Sequence, residues 1–291
     1  MVACMTGNLT VAGLLEEAAE RLRASIAARE PSATPELDAQ LLLAHVLAVP
    51  RTRLKSHPEE RPHPSRIEEY RRLLARHAAG EPVAYLTGYR HFWSLRLAVT
   101  PAVLIPRPET ELLVERALAL HPATEGRVAD LGTGSGALAL ALASERPGWR
   151  LIATDVSEEA LAVARANATS LALAGVEFRR GDWYEPLAGE RFDLIVSNPP
   201  YVAADDPAMT APALAHEPRA ALTPGLEALA SLREIVRGAP AHLVRAGWLL
   251  LEHGATQGTD VREALVLAGF RYVRSHPDLA GHERVTEGQA S

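Results

Sequence analysis

From residue 109 to residue 287 the chain alternates short apolar runs with stretches of helical periodicity. Helices are expected over 109–120, 137–145, 158–170, 226–237 and 258–268. Strands are expected over 128–131, 151–154, 176–179, 194–197 and 248–252, with two terminal strands near 270–275 and 283–287. Strands that alternate with helices form a mostly parallel sheet covered on both faces. In such α/β sheets a ligand sits beyond the carboxyl ends of the strands, where the strand order reverses.

The part before this alternation reads differently. "TVAGLLEEAAERLRASIA" places Leu14, Leu15, Ala18, Leu22 and Ile26 on one helical face behind a possible Thr10 cap. "TPELDAQLLLAHVL" offers Thr34 as N-cap and Pro35 at the first helical position, and "SRIEEYRRLLARHAAG" runs from Ser65 to a terminating Gly80. These helices make a small domain over 1–81. Aromatic and β-branched residues broken by Gly88 then predict a linker with a strand pair over 82–103, and 104–291 form the α/β domain.

With 47% hydrophobic residues the chain has ample material for a core. The beginning of the sequence lacks a basic cluster followed by an apolar run, and no apolar stretch is long enough to span a bilayer, so no membrane association is expected. Cys4 is the single cysteine, which excludes a disulfide framework or a thiolate metal cluster and suits a reducing cytoplasm. His45, His57, His63 and His77 lack metal-ligand spacing, and no metal is expected. The formal net charge is −6, and basic and acidic residues balance up to residue 86. Binding to a phosphate backbone draws on clustered positive charge, so a nucleic-acid substrate is not expected.

Chemistry enters at "VADLGTGSGALAL", where a strand, a glycine loop and a helix follow in immediate succession. Gly132, Gly134 and Gly136 permit tight turning and close backbone approach, and with Thr133 and Ser135 they form a candidate cofactor loop at a helix N-terminus. The next strand ends in Asp155, about 20 residues on, where a carboxylate can accept from both hydroxyls of a ribose. The glycine spacing is not G-x-G-x-x-G and there is no P-loop lysine, which argues against NAD and a nucleoside triphosphate. In "GDWYEPL", Asp182 and Trp183 are candidates for the amino group and face of an adenine; the competing reading of Trp183 is a partly buried core aromatic. In this order and spacing the three elements resemble the S-adenosylmethionine-binding half of class I methyltransferases. That resemblance implies a Rossmann-like, mostly parallel seven-stranded sheet.

The strand in "FDLIVSNPPYV" runs straight into two prolines that supply no backbone donor, so it must end at Asn198 before a stiff loop. The tetrapeptide Asn198, Pro199, Pro200 and Tyr201 resembles the acceptor signature of enzymes that methylate a planar NH₂ group. Such a nitrogen gives its lone pair to a neighbouring π-system and must be compelled by geometry. Asn198 Oδ1 and the Pro199 carbonyl each accepting one N–H would hold it, the prolines would fix those acceptors, and Tyr201 would stack on the flat acceptor. A glutamine amide, adenine and guanine all satisfy this description.

Beyond the tetrapeptide, "GEPVAYLTGYRHFW", "VLIPRPETELLVE", "TDVSEEALAVARAN", "HEPRAAL" and "LLLEHGATQG" resemble, almost end to end, the PrmC or HemK family of protein-(glutamine-N5) methyltransferases. The resemblance implies S-adenosylmethionine as cofactor, and as substrate the glutamine of the Gly-Gly-Gln motif in class-one peptide-chain release factors, docked with help from the N-terminal domain. The runner-up is a nucleic-acid adenine or guanine N-methyltransferase, and a third reading is a cofactor-binding module without catalysis. Arg107, Glu109, Glu111, His216 and Glu217 are read either as shaping the acceptor pocket or as ordinary helix-start and surface residues.

Overall fold

The computed structural model describes residues 9–25 and 34–291; Cys4 and Ile26 lie outside the described residues. These residues pack as two compact units. One takes in the chain up to Gly88 together with Thr210–His216, and the other comprises Tyr89–Met209 and Glu217–Ser291.

The first unit contains helices α1 (Val11–Ser25), α2 (Pro35–Leu47), α3 (Arg51–Ser56), α4 (Pro64–Ala78) and α5 (Val83–Thr87). Thr10 caps α1, its hydroxyl accepting from Gly13 N at 3.2 Å. Thr34 precedes Pro35 as expected, yet its side chain makes no capping bond. Leu14, Leu22, Leu42, Leu43 and Leu74 form the core, and the buried Tyr70 hydroxyl donates to the Ala39 carbonyl at 3.2 Å. The expected strand pair begins later than Pro82. Residues 83–87 instead make a helical turn, because Pro82 sets its start at φ −60° and Gly88, at φ +78°, ends it.

The second unit opens with the hairpin β1 (Tyr89–Phe92) and β2 (Leu95–Ala98), then continues through α6 (Glu111–Leu120), β3 (Gly126–Leu131), α7 (Ala137–Glu145), β4 (Trp149–Asp155), α8 (Glu158–Ser170), β5 (Val176–Arg180) and β6 (Phe192–Ser197). After them come α9 (Arg219–Leu222), α10 (Ala230–His242), β7 (Leu243–Glu252), α11 (Gly258–Leu267), β8 (Arg271–Pro277) and β9 (Glu283–Gln289). The seven-stranded sheet has the order β5-β4-β3-β6-β7-β9-β8. Its first five strands are parallel, and β9 pairs antiparallel with both β7 and β8. Val128, Ala129 and Leu131 of β3 and Leu194, Ile195 and Val196 of β6 are completely buried, the pattern of strands covered on both faces.

The chain winds from β3 outward to β5, then returns to lay β6 on the other side of β3. The order therefore reverses between β3 and β6, and the loops that follow these two strands face one crevice. Helix α10 runs past the expected stop at residue 237. Gly238 and Pro240 read as breakers in the sequence, but Ile235, Val236 and Ala239 are buried, and a Cβ on Gly238 would lie 2.5 Å from the Tyr184 ring. At the far edge, the buried Glu287 of β9 accepts from Arg116 Nε at 2.9 Å, Arg116 Nη2 at 3.2 Å and Arg274 Nε at 2.6 Å, with His276 Nε2 2.9 Å away. Among the described residues no helix is long and apolar enough to cross a membrane.

Candidate active site

The loop after β3 has three glycines at positive φ: Gly132 at 73°, Gly134 at 56° and Gly136 at 84°. A Cβ on Gly132 would lie 3.3 Å from the Trp183 ring, and one on Gly136 would meet Leu140 at 3.0 Å and Ala164 at 3.3 Å. At Gly134 a Cβ would meet nothing within 4 Å, so there the backbone is open to a ligand. Gly132 N and Thr133 N both donate to the Thr154 carbonyl at 2.9 Å, and the buried Asn167 of α8 donates from Nδ2 to the Ser135 carbonyl at 2.9 Å. The loop is fastened to its neighbours on both sides before any ligand arrives.

Two carboxylates underlie it. Asp155, at the end of β4, accepts from Gly134 N and Ser157 N, both at 2.9 Å, through its separate oxygens. Burial raises the pKa of this carboxyl against the pull of the Ser157, Gly134 and Val156 amides. Asp130, 1% exposed, accepts from Thr133 Oγ1 at 2.6 Å and Ala139 N at 3.3 Å through Oδ2, while Oδ1 has no hydrogen-bonding partner. Burial, augmented by Asp155, pushes Asp130 up to about 7 against the Thr133 and Ala139 bonds.

The loop and Asp155 border a cavity of about 280 Å³. Gly132, Thr133, Gly134, Ser135, Asp155, Asp182, Trp183, Asn198 and Pro200 line it; Gly136, Pro199 and Tyr201 do not. Gly136 starts α7 and admits α8 instead, and Pro199 is buried beneath the loop. Val156, Leu138 and Trp183 give the cavity apolar walls, and no lysine or arginine is among its lining residues. The site is complementary to a ligand that carries hydroxyls, a flat apolar ring and positive charge, and it offers no basic side chain to a phosphate.

The acceptor loop is built on β6. Ser197 Oγ donates to the Leu131 carbonyl at 2.7 Å, tying the end of β6 to that of β3, and Asn198 Nδ2 donates to Thr110 Oγ1 at 3.1 Å. Tyr201, expected to stack on an acceptor, packs against the sheet core and donates its hydroxyl to Glu252 Oε1 at 3.1 Å. Gln257 Nε2 also donates to the Tyr201 carbonyl at 2.9 Å. Burial, and then the nearby Glu252 carboxylate, raise the Tyr201 phenol well above its ordinary pKa. The front of the cavity comes from residues 102–110. Glu217, only 6% exposed, holds that segment by accepting from Ile105 N at 3.1 Å and Arg107 Nη2 at 2.6 Å. Glu111 Oε1 accepts from Trp93 N at 2.8 Å, while Glu109 and His216 are exposed.

Sequence reasoning did not single out Asp130, Thr110, Asn167 or Glu252. Asp130 carried a usable signal, an acid closing an apolar strand just before the glycines. The other three owe their roles to partners far away in the chain.

The PrmC N-terminal domain family matches residues 13–88, and the Methyltransferase small domain family matches residues 108–230. A release factor glutamine methyltransferase of Vibrio cholerae is 46% identical over 97% of this chain and 97% of its own length. One of Xylella fastidiosa (strain Temecula1) is 51% identical over 87% of this chain and 92% of its own. The crystal structure of a methyltransferase from Pyrococcus furiosus, 18% identical, superposes with a TM-score of 0.51 over 68% of this chain and 89% of that one, a likeness of fold.

Proposed function

The chain belongs to the release factor glutamine methyltransferase family, and from that premise we propose how its residues hold S-adenosylmethionine and the acceptor. The family's reaction, methyl transfer to a release-factor glutamine, is the function of this chain, and the nucleic-acid alternative is not favoured. The observation that carries the reading is that Asn198 lines the same cavity as Gly134 and Asp155.

The cavity fits the cofactor. Asp155 would take the ribose hydroxyls, and Val156 and Trp183 would flank the adenine with Asp182 beside its amino group. The open backbone at Gly134 would admit the methionine part, and the Asp155 carboxylate on the cavity wall suits a cation. When bound, S-adenosylmethionine supplies an electrophilic methyl carbon on a sulfonium. Asn198 Oδ1 and the Pro199 carbonyl accept the two N–H groups of the glutamine amide and turn its nitrogen towards that carbon. Held in that direction, the nitrogen would take the methyl group that the cofactor supplies and release one proton to water. Pro199 and Pro200 hold the acceptors rigid.

In this reading the acceptor is the glutamine of the Gly-Gly-Gln motif in class-one release factors, in the cytoplasm where translation ends, and the helical unit docks that protein. Incubation with a release factor and the cofactor, followed by mass spectrometry, is expected to place one methyl group on that glutamine. A chain shortened by residues 1–80 is expected to retain transfer to a short Gly-Gly-Gln peptide while losing it to the whole factor. Preferential labelling of RNA or DNA, or labelling of a factor whose glutamine is changed to alanine, overturns the substrate. Equal loss on peptide and factor overturns docking. Asp155→Ala is expected to weaken cofactor binding by about 1–3 kcal/mol, the cost of leaving buried polar groups without partners, in a protein that stays folded. Calorimetry with undiminished affinity would reject the ribose assignment.

A further inference from the structure

We infer that Gln257, at the start of α11, is a positioning residue that fixes the far end of the loop 198–201 and thereby the direction in which its acceptors point. This rests on the proposed role of Asn198 and Pro199 and extends it to the side chain that holds them in place.

Pro199 and Pro200 have no N–H, and their rings fix φ, so this part of the loop takes its direction from its two ends. The first end is the ladder of β6 with β7, which runs to Ser197 and Leu251. The second is the peptide between Tyr201 and Val202, and both of its polar groups are engaged. Its carbonyl accepts from Gln257 Nε2 at 2.9 Å, and Val202 N donates to the Leu222 carbonyl at 3.1 Å. Leu222 closes α9, whose Ala220 and Ala221 line the same cavity as Asn198. A shift of this peptide is therefore passed through the stiff Pro200 to the Pro199 carbonyl.

The Gln257 amide fits one way round. Its Oε1 accepts from Gly254 N at 2.8 Å, and Gln257 N donates to the Gly254 carbonyl at 2.9 Å, so the side chain is folded over the turn that follows β7. A backbone N–H only donates and a carbonyl only accepts; turned over, the amide would set NH₂ against N–H and oxygen against oxygen. The seat is close, since a Cβ on Gly254 would lie 3.1 Å from Gln257 Oε1. The turn is itself tied to the sheet. Buried His253 has Nδ1 2.9 Å from the Gly254 carbonyl and Nε2 2.7 Å from Thr286 Oγ1 of β9, and His253 N donates to the Arg284 carbonyl at 2.9 Å. Burial lowers the pKa of this histidine and favours the neutral ring, in which Nδ1 donates to the Gly254 carbonyl and Nε2 accepts from Thr286. Tyr201 is thus gripped at both ends by one corner of the sheet, its phenol at Glu252 and its carbonyl at Gln257.

The test compares Gln257→Met, which keeps the length of the side chain and makes neither bond, and Gln257→Glu, which keeps the acceptor for Gly254 N and loses the donor to Tyr201, with the wild type in the full chain. It reads kcat, KM for a release factor and cofactor affinity from about pH 8 down to about pH 5.5, the range in which a half-buried carboxyl takes up its proton. At the upper pH both variants are expected to lower kcat at least roughly tenfold, with KM changed less and cofactor affinity within about twofold. A protonated carboxyl accepts on one oxygen and donates from the other. The kcat of Gln257→Glu is therefore expected to recover towards the wild-type value at the same pH as the pH falls, while the ratio for Gln257→Met stays level. Glu252, His253, Glu283, Arg262, Arg284 and Arg107 are the charged or titratable groups around this corner, and being common to variant and wild type they cancel in the ratio. Acid does not repair a loss that comes merely from a loosened fold. Wild-type kcat in both variants at the upper pH, or a Gln257→Glu ratio that fails to rise in acid, overturns the inference; should Gln257→Met fail to fold, the Gln257→Glu ratio decides. Asn198→Ala run beside them separates the failures: full activity there overturns the reading of Asn198 itself, while its collapse beside unimpaired Gln257 variants overturns the positioning role alone.

Discussion

Asn198→Ala is expected to lower kcat by a factor of about 10²–10³, the loss seen when one preorganised group that stabilises developing charge is deleted. Asn198 stands at the end of β6, half-buried at the cavity wall, so its truncation opens no hole among the strands. On the proposed reading, what disappears is one of two acceptors that hold the amide NH₂, whose pull would grow as the nitrogen pyramidalises. The loss therefore falls on kcat, and cofactor affinity changes little. Asn198→Asp keeps an acceptor but adds a charge that would attract a sulfonium and distort the pocket, so it is also expected to be impaired. Single-turnover transfer of labelled methyl to a release factor measures both variants. Near-wild-type transfer by Asn198→Ala would remove the proposed role.

The largest expected effect on stability lies far from the cavity. Glu287→Ala leaves Arg116, Arg274 and His276 gathered around an empty position, and because the two arginines reach water the cost is expected to be about 1–3 kcal/mol, that of leaving hydrogen-bonding groups without partners. Burial works to raise the Glu287 carboxyl, but Arg116 and Arg274 outweigh it and hold the group below the ordinary carboxylate range. A carboxyl lowered in this way stabilises the fold above its ordinary pKa and ceases to do so as the pH falls through the lowered value. Denaturant midpoints of the variant and the wild type should therefore differ most near neutrality and converge in acid. Coincident midpoints at neutral pH would show that the cluster contributes nothing.

Much of the fold was legible because local signals agreed with the period of each element. Helices α7 and α8 occupy the expected residues 137–145 and 158–170, one begun by Gly136 in a left-handed conformation and the other capped by Ser157, which accepts from Ala160 N at 3.1 Å. The strands extend beyond their apolar cores, since a ladder continues through residues such as Arg127 and Arg180 whose side chains reach water. Helix α10 lies at Ala230–His242 rather than the expected 226–237, because burial of Ile235, Val236 and Ala239 carries it past Gly238 and Pro240. In the site, the glycine loop, Asp155, Trp183 and Asn198 were readable as motifs, and the structure brings them to one cavity. Tyr201 was not: its type announced an aromatic platform, and only the tertiary structure shows its hydroxyl committed to Glu252. Thr110 with Asn198, and Arg107 with Glu217, are likewise joined across long separations that no local pattern encodes.

The place of β9 between β7 and β8 has a consequence for how the protein is made. Strand β7, which carries Glu252, is flanked on one side by β6 and on the other by a strand that ends at Gln289. On the ribosome, the glycine loop and the Asn-Pro-Pro-Tyr segment emerge long before β7 has its second neighbour. A nascent chain halted after residue 252 therefore holds every motif of the site while β7 still lacks its partner β9, which is synthesised last although it lies inside the sheet.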